Sequence, residues 1–313
     1  MNTVNLFFAC DDNYIPFLAV TLSSLKENRD PDRQYVLRIL ETGLQEENRQ
    51  KLKASFHEEG FTIAFVNITP MVEEISGKLH TRDYYSKSTY YRLFIPELFP
   101  ELDKALYLDS DLVVRSDISK LYDVQMGENL VAAAPDGIVN TIDALSQYAT
   151  NRLKLDRPEH YFNAGVLLMN LKAMRECKFS EVFVKLLQSV TFRVAQDQDY
   201  LNVICRGRVT YLGYEWNTMP TGVIGNMPKI VHYNLDSKPW HRDDVTFGEL
   251  FWSYAERSGY LPEILSIRAQ YTQEQIARSA EETVNLVELG RRQAGQWIRN
   301  RYIQWKIRRV VNV

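Results

Sequence analysis

The run KALYLDSDLVV, residues 104–114, is apolar except where it stops for Asp109 and Asp111, one residue apart. Two like charges this close in an apolar segment call for a cation, or for a phosphate group held through one. On an extended chain residues i and i+2 face the same side, so the two carboxylates can aim at one point. The plainer alternative is that both acids cap a turn, with Asp111 facing solvent.

Two further clusters carry chemistry. In KIVHYNLDSKPWHR, His232 follows a strand-like segment and Lys238 lies six residues on. An imidazole added to two carboxylates suits Mn2+ better than Mg2+, which prefers an all-oxygen site. Lys238 would add positive charge beside an anion held there. In YFNAGVLLMNL, Asn163 offers a carboxamide, and Ala164 and Gly165 let the backbone approach a ligand closely. In AQDQDYLNVI, Asp197, Gln198 and Asp199 open a helix, where the dipole by itself favours acids. Arg92, in TYYRL, has apolar neighbours, and a buried arginine needs an anionic partner, either a carboxylate or a ligand phosphate.

These side chains can meet only if the fold gathers strand ends. VNLFFAC, QYVLRILETG, FTIAFVNIT, KALYLDSDLVV, NLVAAAPD, AGVLLMNL and KIVHYNL read as strands. DDNYIPFLAVTLSSLKEN reads as a helix capped by Asp12 or Asn13 with Pro16 in its first turn, and QEENRQKLKASFHEEG as a polar-faced helix. The alternation predicts an α/β fold with a mostly parallel sheet. Ligands of such sheets gather at the carboxyl ends of the strands. Asp11 and Asp12, then Asp109 and Asp111, then Asp136 fall at such ends.

The chain has 313 residues, 45% of them hydrophobic, enough for one large domain with an appendage. A net charge of −3 gives no overall basic surface for nucleic acid. Cys10, Cys177 and Cys205 are too scattered for a disulfide framework or a structural zinc site and fit a reducing compartment. MNTVNLFFAC reads as a first strand and not a signal peptide. The expected location is cytoplasmic. From about residue 266 the composition shifts, and RRQAGQWIRNRYIQWKIRRVVNV holds seven Lys or Arg and no acid, interleaved with Trp297, Ile298, Tyr302, Trp305 and Ile307. A basic helix with interfacial aromatics can lie on an anionic bilayer, here the inner membrane face. The plainer reading is a helix that docks on its own domain or on a second subunit.

Taken together, FFACDDNY, STYYRLFIPELF, ALYLDSDLVV, APDG, YFNAGVLLMNL, QDQDYLN and HYNLDSKPWHR stand in the order and spacing of glycosyltransferase family 8. Over about residues 4–255 the chain resembles its lipo-oligosaccharide galactosyltransferase and general-stress-protein branches. Aspartyl-phosphate phosphatases also place Asp-x-Asp after an apolar strand, but a small residue and then Thr must follow, where this chain has Leu112 and Val113. The resemblance implies a GT-A domain over 1–265, a helical extension over 266–313, and retaining transfer of galactose or glucose from a UDP-sugar to a glycolipid, lipopolysaccharide or other glycoconjugate hydroxyl. It implies Mn2+, with Mg2+ as the alternative, on Asp109, Asp111 and His232. It places Asp11 and Asn13 near the uridine and its ribose, and Lys238 on the diphosphate. Arg92, Asp136, Asn163 and Asp197 would hold the donor sugar, and Gln198 would lie under the anomeric carbon. The branch has glycine three residues after the metal histidine, where this chain has Leu235. A non-catalytic UDP-sugar-binding protein recruited to membranes is the competing class.

Overall fold

The structure is a computed structural model that describes residues 3–75, 87–223 and 227–311. Its strands are β1 (Thr3–Ala9), β2 (Gln34–Glu41), β3 (Phe61–Asn67), β4 (Lys104–Leu108), β5 (Leu112–Val114), β6 (Val131–Ala133), β7 (Val166–Asn170), β8 (Val209–Tyr211) and β9 (Ile230–His232). Seven of them form one sheet in the order β3-β2-β1-β4-β7-β6-β8. β3, β2, β1 and β4 run parallel, and β7 runs antiparallel to both β4 and β6. Along β1 the side chains alternate faces: Val4, Leu6 and Phe8 enter one apolar cluster, Phe7 and Ala9 the other. Both faces of the sheet are therefore buried, as a helix-covered parallel sheet requires.

Two features position the site. From β1 the chain moves outward to β2 and β3, then returns to lay β4 on the other side of β1. The crevice between the carboxyl ends of β1 and β4 is a topological switch point, where open α/β sheets bind ligands. Asp11 and Asp109 follow those two ends. Second, KALYLDSDLVV is two strands and not one. β4 stops at Leu108, and β5 leaves the main sheet to pair antiparallel with β9, setting Leu112 opposite His232. The two acids thus lie on the link between two sheets, and their convergence comes from that link instead of strand alternation.

Smaller differences have local causes. The first helix, Ile15–Asn28, has Pro16 in its first turn, but Tyr14 occupies the cap position, with no side-chain cap bond. Asp11 turns the chain in front of it instead, accepting from the Asn13 and Tyr14 amides at 3.0 and 3.2 Å. Arg92 lies on a 3-10 helix, Lys87–Phe94. Cys10 and Cys205 are buried and Cys177 is half-buried, all as free thiols.

In the extension, helix Gln273–Ala294 opens with a Thr272/Gln275 capping box and packs along helix Asp143–Asn151. Gly290 permits that approach, since a Cβ there would sit 2.7 Å from Leu145 Cδ2. Helix Trp297–Val311 follows. Its Ile303 and Ile307 are buried, and the buried Asn300 accepts from Arg152 at 2.8 Å. Its other face leaves Trp297, Ile298, Tyr302 and Trp305 exposed, with Arg301, Lys306 and Arg309 laid over the three aromatic rings. Ile307 turns inward, away from that face. Residues 312 and 313 of the basic stretch lie outside the described residues. Among the described residues no helix is long and apolar enough to cross a membrane.

The two faces should respond differently to truncation. Ile307→Ala is expected to cost about 2–5 kcal/mol by urea denaturation, and Ile298→Ala less than about 0.5 kcal/mol. Equal costs would contradict this docking of the helix.

Candidate active site

Asp109 leaves β4 with its amide bonded to the Gly165 carbonyl at 2.8 Å, one residue before β7 begins. On the β5–β9 side, the Tyr233 amide donates to the Asp111 carbonyl at 3.1 Å. These two ties bring His232 Nε2 to 3.7 Å from Asp109 Oδ2 and 3.4 Å from Asp111 Oδ1. The three ligand atoms all lie within 4.8 Å of one another. A Cβ on residue 165 would sit 2.7 Å from Asp109 Oδ2 and 2.8 Å from His232 Nδ1, so only glycine leaves room for this approach.

Around the triad stand two buried cations. Lys238 Nζ pairs with Asp111 Oδ2 and also donates to the Tyr233 carbonyl. Arg92 spans Asp109 Oδ1 at 3.1 Å from Nη2 and Asp197 Oδ2 at 3.2 Å from Nε, with its guanidinium over the Tyr107 ring. The Tyr107 hydroxyl donates to Asp109 Oδ1 at 2.9 Å. Burial works to raise the Asp111 carboxyl, but the Lys238 ammonium opposes it, and the carboxyl is held well below the ordinary carboxylate range. Burial likewise works to lower the Lys238 ammonium, and Asp111 more than reverses that. Asp197 goes the other way: burial pushes it up to about 6 despite the pull of Arg92.

The floor of the cleft is a set of amides and one carboxylate. Gln198, in the first turn of helix Gln196–Ile204, accepts from the Ala164 amide at 2.9 Å and donates to Asp136 Oδ2 at 3.0 Å and Tyr161 at 3.2 Å. Asn202, one turn further on, bonds both the amide and the carbonyl of Phe162 at 2.9 Å, which pins the helix against the segment leading into β7. Asn163 donates to Asp136 Oδ2 at 3.0 Å.

One cleft of about 1200 Å3, counted with its open mouth, is lined by Asp11, Arg92, Asp109, Asp111, Asp136, Asn163, Asp197, Gln198, His232 and Lys238. Asn13 stands apart: the Asp11 turn directs it outward, and it is exposed and outside the lining. Tyr14, beside it, does line the cleft. The lining also has an apolar part, Ile138, Val139, Leu145, Val194, Leu235 and Leu286. Leu286 comes from helix Gln273–Ala294, so the carboxy-terminal extension builds part of the cleft. Leu235 has φ +49°, the left-handed backbone that glycine takes freely and that costs other residues about 1–2 kcal/mol.

The donor set fits a divalent cation. Among the described residues, five carboxylates line the cleft against two permanent cations. Within the same set, Asp111 Oδ1 is buried with no hydrogen-bond partner. So is Asp197 Oδ2, because the Arg92 Nε–H is directed at the Thr89 carbonyl at 2.8 Å. Buried acceptors left open in this way are what a bound ion or ligand hydroxyl satisfies.

A mixed, mostly parallel sheet with an acidic, amide-floored cleft at its switch point is the GT-A fold of a nucleotide-sugar-dependent glycosyltransferase. Within that class the chain belongs to glycosyl transferase family 8, whose pattern matches residues 5–244. It is 26% identical over 261 residues to general stress protein A of Bacillus subtilis (strain 168), covering 76% of this chain and 87% of that one. It is 32% identical over 177 residues to lipopolysaccharide 1,2-glucosyltransferase of Escherichia coli (strain K12), covering 50% of each chain. The galactosyltransferase LgtC, solved in complex with donor and acceptor sugar analogues, superposes with TM-score 0.70 at 32% identity, over 81% of this chain and 95% of LgtC.

Sequence reasoning missed several residues. Asn217, in YEWNTMP, has no pattern around it, yet its Oδ1 lies 3.0 Å from His232 Nδ1. Asp199, read only as an acid at a helix start, is fully buried and accepts from Tyr148 and Tyr161, both at 2.8 Å. The signal for it was the tyrosine in HYFNAG, which needs a buried acceptor.

Burial pushes the Asp199 carboxyl up to about 6. The folded protein then keeps this proton at pH values where the unfolded chain has lost it. The stability it contributes is full below the ordinary carboxyl range and is lost as pH rises through about 6. Metal-free wild type should therefore lose about 1–3 kcal/mol relative to Asp199→Asn between pH 4 and pH 7, read by urea denaturation. A pH-independent difference would show that Asp199 is already ionised throughout.

Proposed function

We propose that the chain transfers a hexose, galactose or glucose, from a UDP-sugar to a hydroxyl of a glycolipid, lipopolysaccharide or other glycoconjugate, with retention of anomeric configuration. The observation that carries this reading is the convergence of Asp109, Asp111 and His232 in an over-acidic cleft at the β1/β4 switch point. Asp109, Asp111 and His232 would hold a divalent ion, Mn2+ by the imidazole in its donor set with Mg2+ as the alternative, which supplies Lewis-acid stabilisation of the departing diphosphate.

The chain's own residues do the rest. Lys238, kept charged by Asp111, offers a fixed cation where the diphosphate gathers charge. Asp11 and Tyr14, which line the same cleft, would face the nucleoside, with Asn13 at the exposed edge of that turn towards the ribose. Arg92, held by Asp109 and Asp197, fixes both carboxylates and with Asp136 and Asn163 frames the sugar pocket. Gln198, bonded on both its amide atoms, presents a stationary dipole to the oxocarbenium-like sugar. Asp197, ionised above about pH 6, adds negative charge to the same face. An amide is a poor nucleophile, so substitution proceeds on the face from which the diphosphate departs, and a phosphate oxygen takes the acceptor's proton. The apolar lining residues suit an acceptor with an apolar portion, as a glycolipid has.

The deciding experiment is a panel of UDP-sugars with and without Mn2+, scored by released UDP. One UDP-hexose should be turned over in the presence of Mn2+, and Asp109→Ala and Asp111→Ala should each abolish that turnover while leaving far-UV circular dichroism unchanged. Donor binding without UDP release would mark a non-catalytic sugar-binding protein. Gln198→Ala should lower kcat by about 10–1000-fold with less than about 5-fold change in UDP affinity. Equal losses would confine Gln198 to donor positioning.

The exposed Trp297, Ile298, Tyr302 and Trp305 with their overlying cations support peripheral attachment to an anionic membrane, for which we propose the cytoplasmic face. Deleting the helix would also uncover Ile303 and Ile307, so the informative variant replaces those four residues with serine. It should stay folded, keep transfer to a soluble acceptor and lose binding to phosphatidylglycerol vesicles. Retained vesicle binding would move the attachment elsewhere.

A further inference from the structure

An unbroken line of hydrogen bonds joins His232 to Gln198, and one carboxylate sets the direction of every bond in it. Asp136 has lone pairs only. Its Oδ1 takes the Ile138 and Val139 amides at 3.0 and 2.9 Å. Its Oδ2 takes Asn163 Nδ2 and Gln198 Nε2, each at 3.0 Å. With its NH2 committed to Asp136, Asn163 must turn Oδ1 the other way, where it accepts from the Gly165 amide at 2.9 Å and from Asn217 Nδ2 at 2.8 Å. Asn217 in turn is left with Oδ1 facing His232 Nδ1 at 3.0 Å.

An amide oxygen can only accept, so His232 Nδ1 carries the proton and the Nε2 lone pair is left for the side of Asp109 and Asp111. Asn217 is 1% exposed and is held by its neighbour Thr218, whose amide and carbonyl bond Ile230 and His232 at 2.9 and 2.8 Å. It has no freedom to reverse its amide without setting acceptor against acceptor at Asn163.

We propose that Asn217 is a positioning residue with two separable duties: through Oδ1 it selects the His232 tautomer that can ligate, and through Nδ2 it ties that ligand to the Asn163–Asp136–Gln198 floor beneath the transferred sugar. Neither duty requires contact with substrate. The inference rests on His232 being a metal ligand, as proposed above.

Two substitutions separate the duties. Asn217→Ala removes both bonds and should weaken Mn2+ binding in the presence of UDP by about 10–100-fold, measured by electron paramagnetic resonance of free Mn2+. Asn217→Asp, nearly isosteric, keeps an acceptor for the Nδ1 proton but at pH 8 sets a carboxylate oxygen against Asn163 Oδ1. It should hold Mn2+ as tightly as wild type or more so, yet lose at least about 10-fold in kcat for UDP release. Thermal unfolding without metal establishes that each variant is folded; should Asn217→Ala not fold, the Asn217→Asp pattern decides alone. Folded Asn217→Ala with Mn2+ affinity within about 3-fold of wild type would overturn the tautomer duty. Asn217→Asp with unchanged kcat would overturn the tie to the floor, and equal loss of Mn2+ in both variants would reduce Asn217 to a packing residue. Absence of Mn2+ binding by wild type would overturn the metal reading and this inference together.

Discussion

Uncompensated negative charge is the constraint that organises this protein. Among the described residues, five carboxylates line one cleft with Arg92 and Lys238 as its permanent cations, and several of these groups are too buried for water to share the burden. Burying an unpaired carboxylate costs several kcal/mol. The chain offsets much of that cost internally: Lys238 against Asp111, Arg92 against Asp109 and Asp197, and backbone amides against Asp136. What remains open is concentrated where Asp109, Asp111 and His232 converge, so the deficit itself is localised. A site organised in this way is suited to a divalent cation, which would supply the charge its own residues leave unbalanced.

The fold concentrates the charge where a seven-stranded sheet meets a two-stranded one. The β1/β4 crevice brings Asp11 and Asp109 together, and the short β5–β9 pair carries Asp111 and His232 to the same place. Much of what lies beneath is amide chemistry, with the Gly165 backbone amide and the Asn163, Gln198 and Asn202 side chains arranged around the Asp136 carboxylate and the Phe162 backbone. Amide side chains carry no charge at any working pH, so this part of the floor holds its dipoles fixed while Asp197, pushed up to about 6 by burial, can change charge beside it.

Much of this was legible in the sequence. Alternating apolar runs located most of the strands, and paired acids at a strand end, with a distant histidine, pointed to a common site. The harder features were those decided by contacts across the chain. Nothing local in KALYLDSDLVV says that its strand changes sheets at the acids, because both halves are equally apolar. β8, VTY, is short, partly exposed and flanked by polar residues, and so leaves little periodicity to read. Asn217 gains its meaning only from Thr218 lying along β9. Leu235 was recognised as a departure from a glycine, but the backbone it occupies, left-handed all the same, needed coordinates to see.

The helix that supplies Leu286 to the cleft wall continues, after a two-residue break, into the helix whose aromatic face is exposed. Both are clamped to the domain, the first on helix Asp143–Asn151 and the second through Ile303 and Ile307. The extension is therefore a strut and not a tether. Were its aromatic face seated on a bilayer, as proposed, an acceptor anchored there would be offered to the cleft at a set height, and only those whose reactive hydroxyl projects by that amount would reach the donor. Such a strut would choose among acceptors by reach before any pocket residue touched them.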